Sequence, residues 1–123
     1  MGLLVLVDNK DDLVYKHVFN NTLNIYDLLV VCYGSIDILN TIIKMNKSNY
    51  FECIDTHEDF EVTAYIFNSF YKCFFIHKKL KNVKKFMYEI CQIFREKIVY
   101  EDVWSYEDQI NDINDIYRIY FKI

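Results

Sequence analysis

The sequence predicts an α/β (α+β) fold: one five-stranded, mostly antiparallel sheet with helices on both faces, in the order β-β-α-β-β-β-α-α. Three observations carry this. The chain opens on a continuous apolar run, Leu3 to Val7, followed after a polar turn by a second strand-like stretch. A long stripe at helical spacing then interrupts the strands, and a three-strand meander follows it. Two more helical stripes close the chain. At 123 residues and 53% hydrophobic content, the sequence fits one domain, 1–123, around one core.

Taken in order, Leu3 to Val7 is apolar throughout and includes β-branched residues, which predicts a strand covered on both faces. Asp8 to Asp12 is a polar turn, and Leu13 to Phe19 is the second strand of a hairpin. Leu23 to Asn46 is a helix that Asn21 or Thr22 can cap. Its stripe is Ile25, Leu28, Leu29, Cys32, Ile36, Leu39 and Ile43, at steps of three and four. Tyr50 to Ile54, Glu61 to Phe67 and Tyr71 to Ile76 form the meander, joined by Asp55–Asp59 and by Asn68-Ser69. A second helix, about Asn82 to Tyr100, turns Val83, Phe86, Met87, Ile90, Cys91, Phe94 and Ile98 inward. After a polar link near 101–107, a last helix from about Tyr106 to Phe121 does the same with Ile110, Ile113, Tyr117, Tyr120 and Phe121.

Composition narrows the function classes. A net charge of −4 argues against nucleic-acid binding by the chain as a whole. The apolar start is too short for a signal peptide and has no basic residue before it; no apolar run reaches the ~20 residues of a membrane span. Gly2 lacks the Ser or Thr at position 6 that a myristoylation motif wants, because Leu6 stands there. Cys32, Cys53, Cys73 and Cys91 are widely spaced within apolar segments and are expected as reduced core residues of a cytosolic protein.

The chemistry-bearing patterns are sparse. Cys53-x3-His57 and Cys73-x3-His77 share a spacing that puts each pair on one strand face. Structural zinc sites use tighter cysteine knuckles, so ordinary packing is the expectation and no metal or other cofactor is assigned. Gly2 and Gly34 are the only glycines, which leaves no phosphate-cradling loop and no nucleophile elbow. Asp11-Asp12 and Glu58-Asp59 lie in turns and are expected to be solvated. No catalytic residue is assigned, and an enzyme is not expected.

Two surface features ask for partners. Val31, Ile38, Ile42 and Met45 form a second stripe on the first helix, beside the sheet-facing one, with Asp37 off both. Such a stripe marks an interface unless the final helix covers it. Burying four such side chains is worth roughly 1.5–3 kcal/mol each before association costs. From Lys78 to Lys97 the chain carries seven basic residues against Glu89 and Glu96, whereas 101–115 carries six acidic residues and none basic. Lys78, Lys79, Lys81, Lys84 and Lys85 are membrane-facing on one reading and a solvated helix start on the other. Lysines at a helix start oppose the macrodipole.

The element order is also that of the longin fold, and the residues add to it. Leu3-Leu4-Val5-Leu6-Val7 followed by the turn and Leu13-Val14-Tyr15 resembles the start of the sedlin family, an apolar strand, a short turn and "x-Pro-Val/Leu-Tyr/Phe". Ser35-Ile36-Asp37-Ile38-Leu39-Asn40 resembles its "Ser/Ala-Leu-Asp-hydrophobic-Val-Asp". Glu58-Asp59-Phe60-Glu61-Val62-Thr63-Ala64-Tyr65-Ile66-Phe67-Asn68-Ser69 is similar to its "Glu-Asp-Tyr-Lys-Val-Tyr-Gly-Tyr-Val-Thr-Asn-Ser". Tyr100-Glu101 falls where the family carries an aromatic pair after Asn-Pro, but Lys97-Ile98-Val99 replaces that Asn-Pro, and Asp12-Leu13 replaces the first "x-Pro".

The resemblance spans essentially the whole chain. It implies a non-catalytic adaptor of the TRAPP vesicle-tethering complexes, which promote nucleotide exchange on a Rab-family GTPase in ER–Golgi transport. The implied partners are other small TRAPP subunits through the first helix and, indirectly, that GTPase. The implied location is cytoplasmic, peripheral to ER–Golgi and Golgi membranes. An acidic residue at the position of Asp37 is part of the family's pattern. The alternative is another longin trafficking protein, such as a clathrin-adaptor small chain.

Overall fold

The computed structural model describes residues 2–19, 24–67, 70–100 and 107–121, without the side chains of 97–100 and 107–111. Five strands and three helices appear in the expected order: β1 Gly2–Val7, β2 Leu13–Phe19, α1 Ile25–Ile43, β3 Tyr50–His57, β4 Phe60–Phe67, β5 Tyr71–Lys78, α2 Val83–Tyr100 and α3 Glu107–Phe121. The strands form one sheet, β2-β1-β5-β4-β3, in which every neighbouring pair is antiparallel. The chain divides into two compact units, Met1–Lys79 and Leu80–Ile123.

The first unit is the sheet with α1. Side chains alternate across a strand, so one face of the sheet presents Leu3, Val5 and Val7 of β1, Val62 and Ala64 of β4, and Phe74 and Ile76 of β5. These pack with Leu28, Cys32, Ile36 and Leu39 of α1 into one core. The other face, with Leu4, Leu6, Phe19, Tyr65, Phe67, Cys73 and Phe75, is buried as well. Burial on both faces explains why β1 and β5 read as unbroken apolar runs. Gly2 is required by that closeness: a β-carbon there would stand 2.8 Å from the Phe75 ring and 3.0 Å from the Ile76 carbonyl oxygen.

Several boundaries differ from the sequence expectation. β3 runs on to His57, through an irregularity in its pairing with β4 between Phe51 and Asp55. Only Glu58-Asp59 remains of the expected five-residue turn, and Glu58 takes a positive φ of 54°. Cys53 sits in the irregularity with φ 49° and is exposed, which corrects its assignment as a core residue; Cys32, Cys73 and Cys91 are buried. α1 begins later than expected, capped by Asn24, whose Oδ1 accepts the Asp27 N–H at 3.4 Å. Asn21, Thr22, the Asn68-Ser69 connection and the link before α3 lie outside the described residues.

The second unit is the α2–α3 pair. Val83, Phe86, Met87, Ile90, Cys91 and Phe94 of α2 are buried, as are Ile113 and Tyr117 of α3. Phe86 meets the Tyr117 ring at 6.0 Å and the Phe121 ring at 4.9 Å, geometries that favour edge and tilted contacts.

Candidate functional site

Among the described residues, α1 exposes three large hydrophobic side chains, Tyr26, Val30 and Tyr33. Among the described residues it is the one helix long and apolar enough, by length and composition alone, to cross a bilayer. Part of that apolarity belongs to the core. Leu28, Cys32, Ser35, Ile36 and Leu39 are buried against the sheet. Ser35 survives there because its hydroxyl donates to the Val31 carbonyl at 2.8 Å. The remainder lies on the outward side, where Tyr26 is 81% exposed, Val30 70% and Tyr33 48%.

The residues of the expected second stripe divide among three environments. Val31 and Ile42 are half-buried and pack against the edge of the core. Ile38 is half-buried beside them. Met45 does not continue the stripe: the helix ends at Ile43 with Lys44 as its C-cap, and Met45 stands 85% exposed beyond it. Asp37 is exposed on α1.

Sequence periodicity missed Tyr26, Val30 and Tyr33 because the stripe was centred on Ile25. The buried face is centred closer to Leu28, Cys32, Ser35 and Leu39, and Ile25 is only half-buried. The available signal was Ser35. Counted with the apolar positions, it moves the buried line round the helix and leaves Tyr26, Val30, Tyr33 and Asp37 together on the far side. Gly34 belongs to that outward surface, and nothing lies within 4 Å of where its β-carbon would be.

A polar clamp braces this helix within the first unit. Asp11 lies in the β1–β2 turn with φ 65°. Its carboxylate accepts from Asn40 Nδ2 of α1 at 2.9 Å and pairs with the Lys72 ammonium of β5. The side chain of Lys72 is only 5% exposed, that of Asp11 31%. Burial pushes the Asp11 carboxyl up, but the hydrogen bonds from Lys72 and Asn40 and the Lys72 charge outweigh it and hold it below the ordinary carboxylate value. The expectation of solvated turn carboxylates is thereby corrected for Asp11.

On the other sheet face His77 is buried. Its Nδ1 lies 2.6 Å from the Lys78 carbonyl oxygen and its Nε2 2.8 Å from the Thr63 hydroxyl. A carbonyl can only accept, so Nδ1 carries the hydrogen and the Thr63 hydroxyl donates to Nε2. Burial holds this imidazole below the ordinary histidine value, against the opposing pull of the Lys78 carbonyl and of Glu61 and Glu52. Cys32 is likewise pushed up to about 12, first by burial and then by Cys73. Among the described residues, no three His, Cys, Asp or Glu side chains gather as metal ligands.

The basic residues fall in two places. Lys78 and Lys79 are exposed at the end of the first unit, with Lys78 Nζ 5.8 Å from the Phe60 ring centre. Lys81, Lys84 and Lys85 are exposed in the second unit, where Lys84 Nζ lies 5.8 Å from the Tyr88 ring centre.

Comparison with protein families finds that the model of the sedlin family matches residues 6–111, from within β1 into α3. No curated protein matches the chain.

Proposed function

The chain belongs to the sedlin family of TRAPP subunits, and from that premise we propose that it is a non-catalytic adaptor in a TRAPP-type vesicle-tethering assembly. That assembly promotes guanine nucleotide exchange on a Rab-family GTPase in ER–Golgi transport. The adaptor works in the cytoplasm, at the periphery of ER–Golgi and Golgi membranes. It joins other small subunits through the outward side of α1, and reaches the GTPase only indirectly.

The observation that carries this reading is the exposed apolar side of α1. Tyr26, Val30 and Tyr33 are exposed on a helix whose inner face already has its core. Exposed tyrosines supply large contact area at small entropic cost, which is why interfaces favour them. Asp37 and the half-buried Ile38 and Val31 rim the same helix. Gly34 offers a place where a second backbone can approach closely.

Affinity capture of the tagged full chain from its native cells, followed by mass spectrometry, tests the proposal. Other small TRAPP subunits are expected in the eluate. Recovery of clathrin adaptors, or of no trafficking proteins, overturns it. A Val30→Asp, Tyr33→Ser variant is expected to melt within about 1 kcal/mol of the parent, as exposed substitutions do, and to lose those subunits.

A further inference from the structure

The cations of α2 form a surface of the second unit. α2 buries Val83, Phe86, Met87, Ile90, Cys91 and Phe94, and at 3.6 residues per turn that line determines what faces outward. Lys84, Lys85, Tyr88, Gln92 and Arg95 fall along one outward flank, over ~17 Å of helix axis. Exposed Lys81 precedes them by three residues. Tyr88 is 42% exposed beneath Lys84, and Arg95 Nη1 donates along the row to Gln92 Oε1 at 3.5 Å.

The acidic residues of this helix lie to one side of the row. Glu89 accepts the hydroxyl hydrogen of Tyr120 in α3 at 2.5 Å, so its carboxylate is engaged there. Among the described residues, no carboxylate stands within ion-pair distance of Lys81 or Lys85. Helix stability does not account for the lysines either. The first turn of α2 contains no acidic residue, and cations there oppose the macrodipole.

We propose that this row is a docking surface for anionic lipid headgroups. Lys81, Lys84, Lys85 and Arg95 meet the headgroup phosphates, and Tyr88 lies at the level where an apolar ring with a polar tip is favoured. A straight row of cations with one amphipathic ring near its middle suits a plane of charge better than a groove in a folded partner. The chain is otherwise acidic, with net charge −4, so repulsion elsewhere turns this flank towards an anionic surface. Each cation strengthens such binding about fivefold, and salt weakens it. The inference is independent of the α1 reading.

Co-sedimentation of the full chain with vesicles tests it. Vesicles of phosphatidylcholine and phosphatidylserine, mixed about two to one, model the anionic cytoplasmic leaflet; phosphatidylcholine alone is the comparison. Binding is expected to the mixed vesicles only, and to fall as salt rises. Lys81→Gln, Lys84→Gln, Lys85→Gln together are expected to weaken it roughly 100-fold. Lys10→Gln, Lys16→Gln, Lys47→Gln, three exposed lysines elsewhere, are expected to cost far less. Lys85→Gln alone, expected to cost about fivefold, keeps the test decisive if the triple variant melts early. Equal binding to neutral vesicles, no binding to anionic ones, or equal losses in both triple variants overturns the proposal. So does capture of polyglutamate, in place of vesicles, with the same dependence on Lys81, Lys84 and Lys85.

Discussion

At the scale of single residues, Asp11 and Lys72 divide the energetic risk of their pair unequally. The Lys72 side chain is enclosed, whereas Asp11 keeps about a third of its side chain in water. Removing the carboxylate therefore strands a buried ammonium, and removing the ammonium leaves a carboxylate that water can still reach. Asp11→Ala is expected to cost about 2–4 kcal/mol in denaturant unfolding, and Lys72→Met within about 1 kcal/mol. Equal costs would overturn this unequal division of the risk. His77 supplies a dependence on pH. Its folded value lies below the ordinary histidine value of 6.5, so its contribution is complete above pH 6.5 and is lost as pH falls through the folded value, because the unfolded chain then binds the proton more readily. The urea midpoint is expected to drop between pH 7.5 and 5.5, and His77→Gln to lie lower but flatter. Neither arrangement was legible in the sequence. Asp11 and Lys72 are 61 positions apart, and only strand register brings Lys72 under the β1–β2 turn.

At the scale of elements, α1 shows how periodicity reveals a helix more readily than its outward direction. The stripe at steps of three and four located the helix, and the antiparallel hairpin and meander were equally plain. The direction depends on which residues the sheet encloses, and Ser35 entered the buried face through its bond to Val31. Two substitutions separate the sides. Ile38→Asp with Ile42→Asp places carboxylates at half-buried positions, Ile42 among them packed on the core, and is expected to cost about 2–3 kcal/mol. Gly34→Ala meets open space and is expected to stabilise the isolated chain by about 0.5–1 kcal/mol, since a mid-helix glycine carries that penalty. A fall in partner recovery on the same substitution would show that a second backbone comes close there. The short β3–β4 turn escaped sequence reading for a related reason: Glu58 adopts a positive φ that glycine or asparagine would have announced.

At the scale of the whole molecule, the cysteines report on both units. Cys32, Cys53 and Cys73 lie in the first and Cys91 in the second. Under native conditions a thiol reagent is expected to modify Cys53 alone, slowly, since burial and then Glu61 and Asp55 push its thiol up. Adding urea is expected to expose Cys32, Cys73 and Cys91. Coincident midpoints for Cys91 and for Cys32 with Cys73 would mean the units unfold together; an earlier Cys91 would mean the helical pair opens first. By itself the sequence determined the order of strands and helices, the hairpin, the meander and the family, because alternation, helical spacing and short motifs are local and survive in one dimension. Only the tertiary structure decided which side of α1 remains bare, that Asp11 is clamped rather than solvated, and that Cys53 is exposed. Each of those depends on what a distant strand or helix encloses, and enclosure is a property of contacts that linear order does not contain.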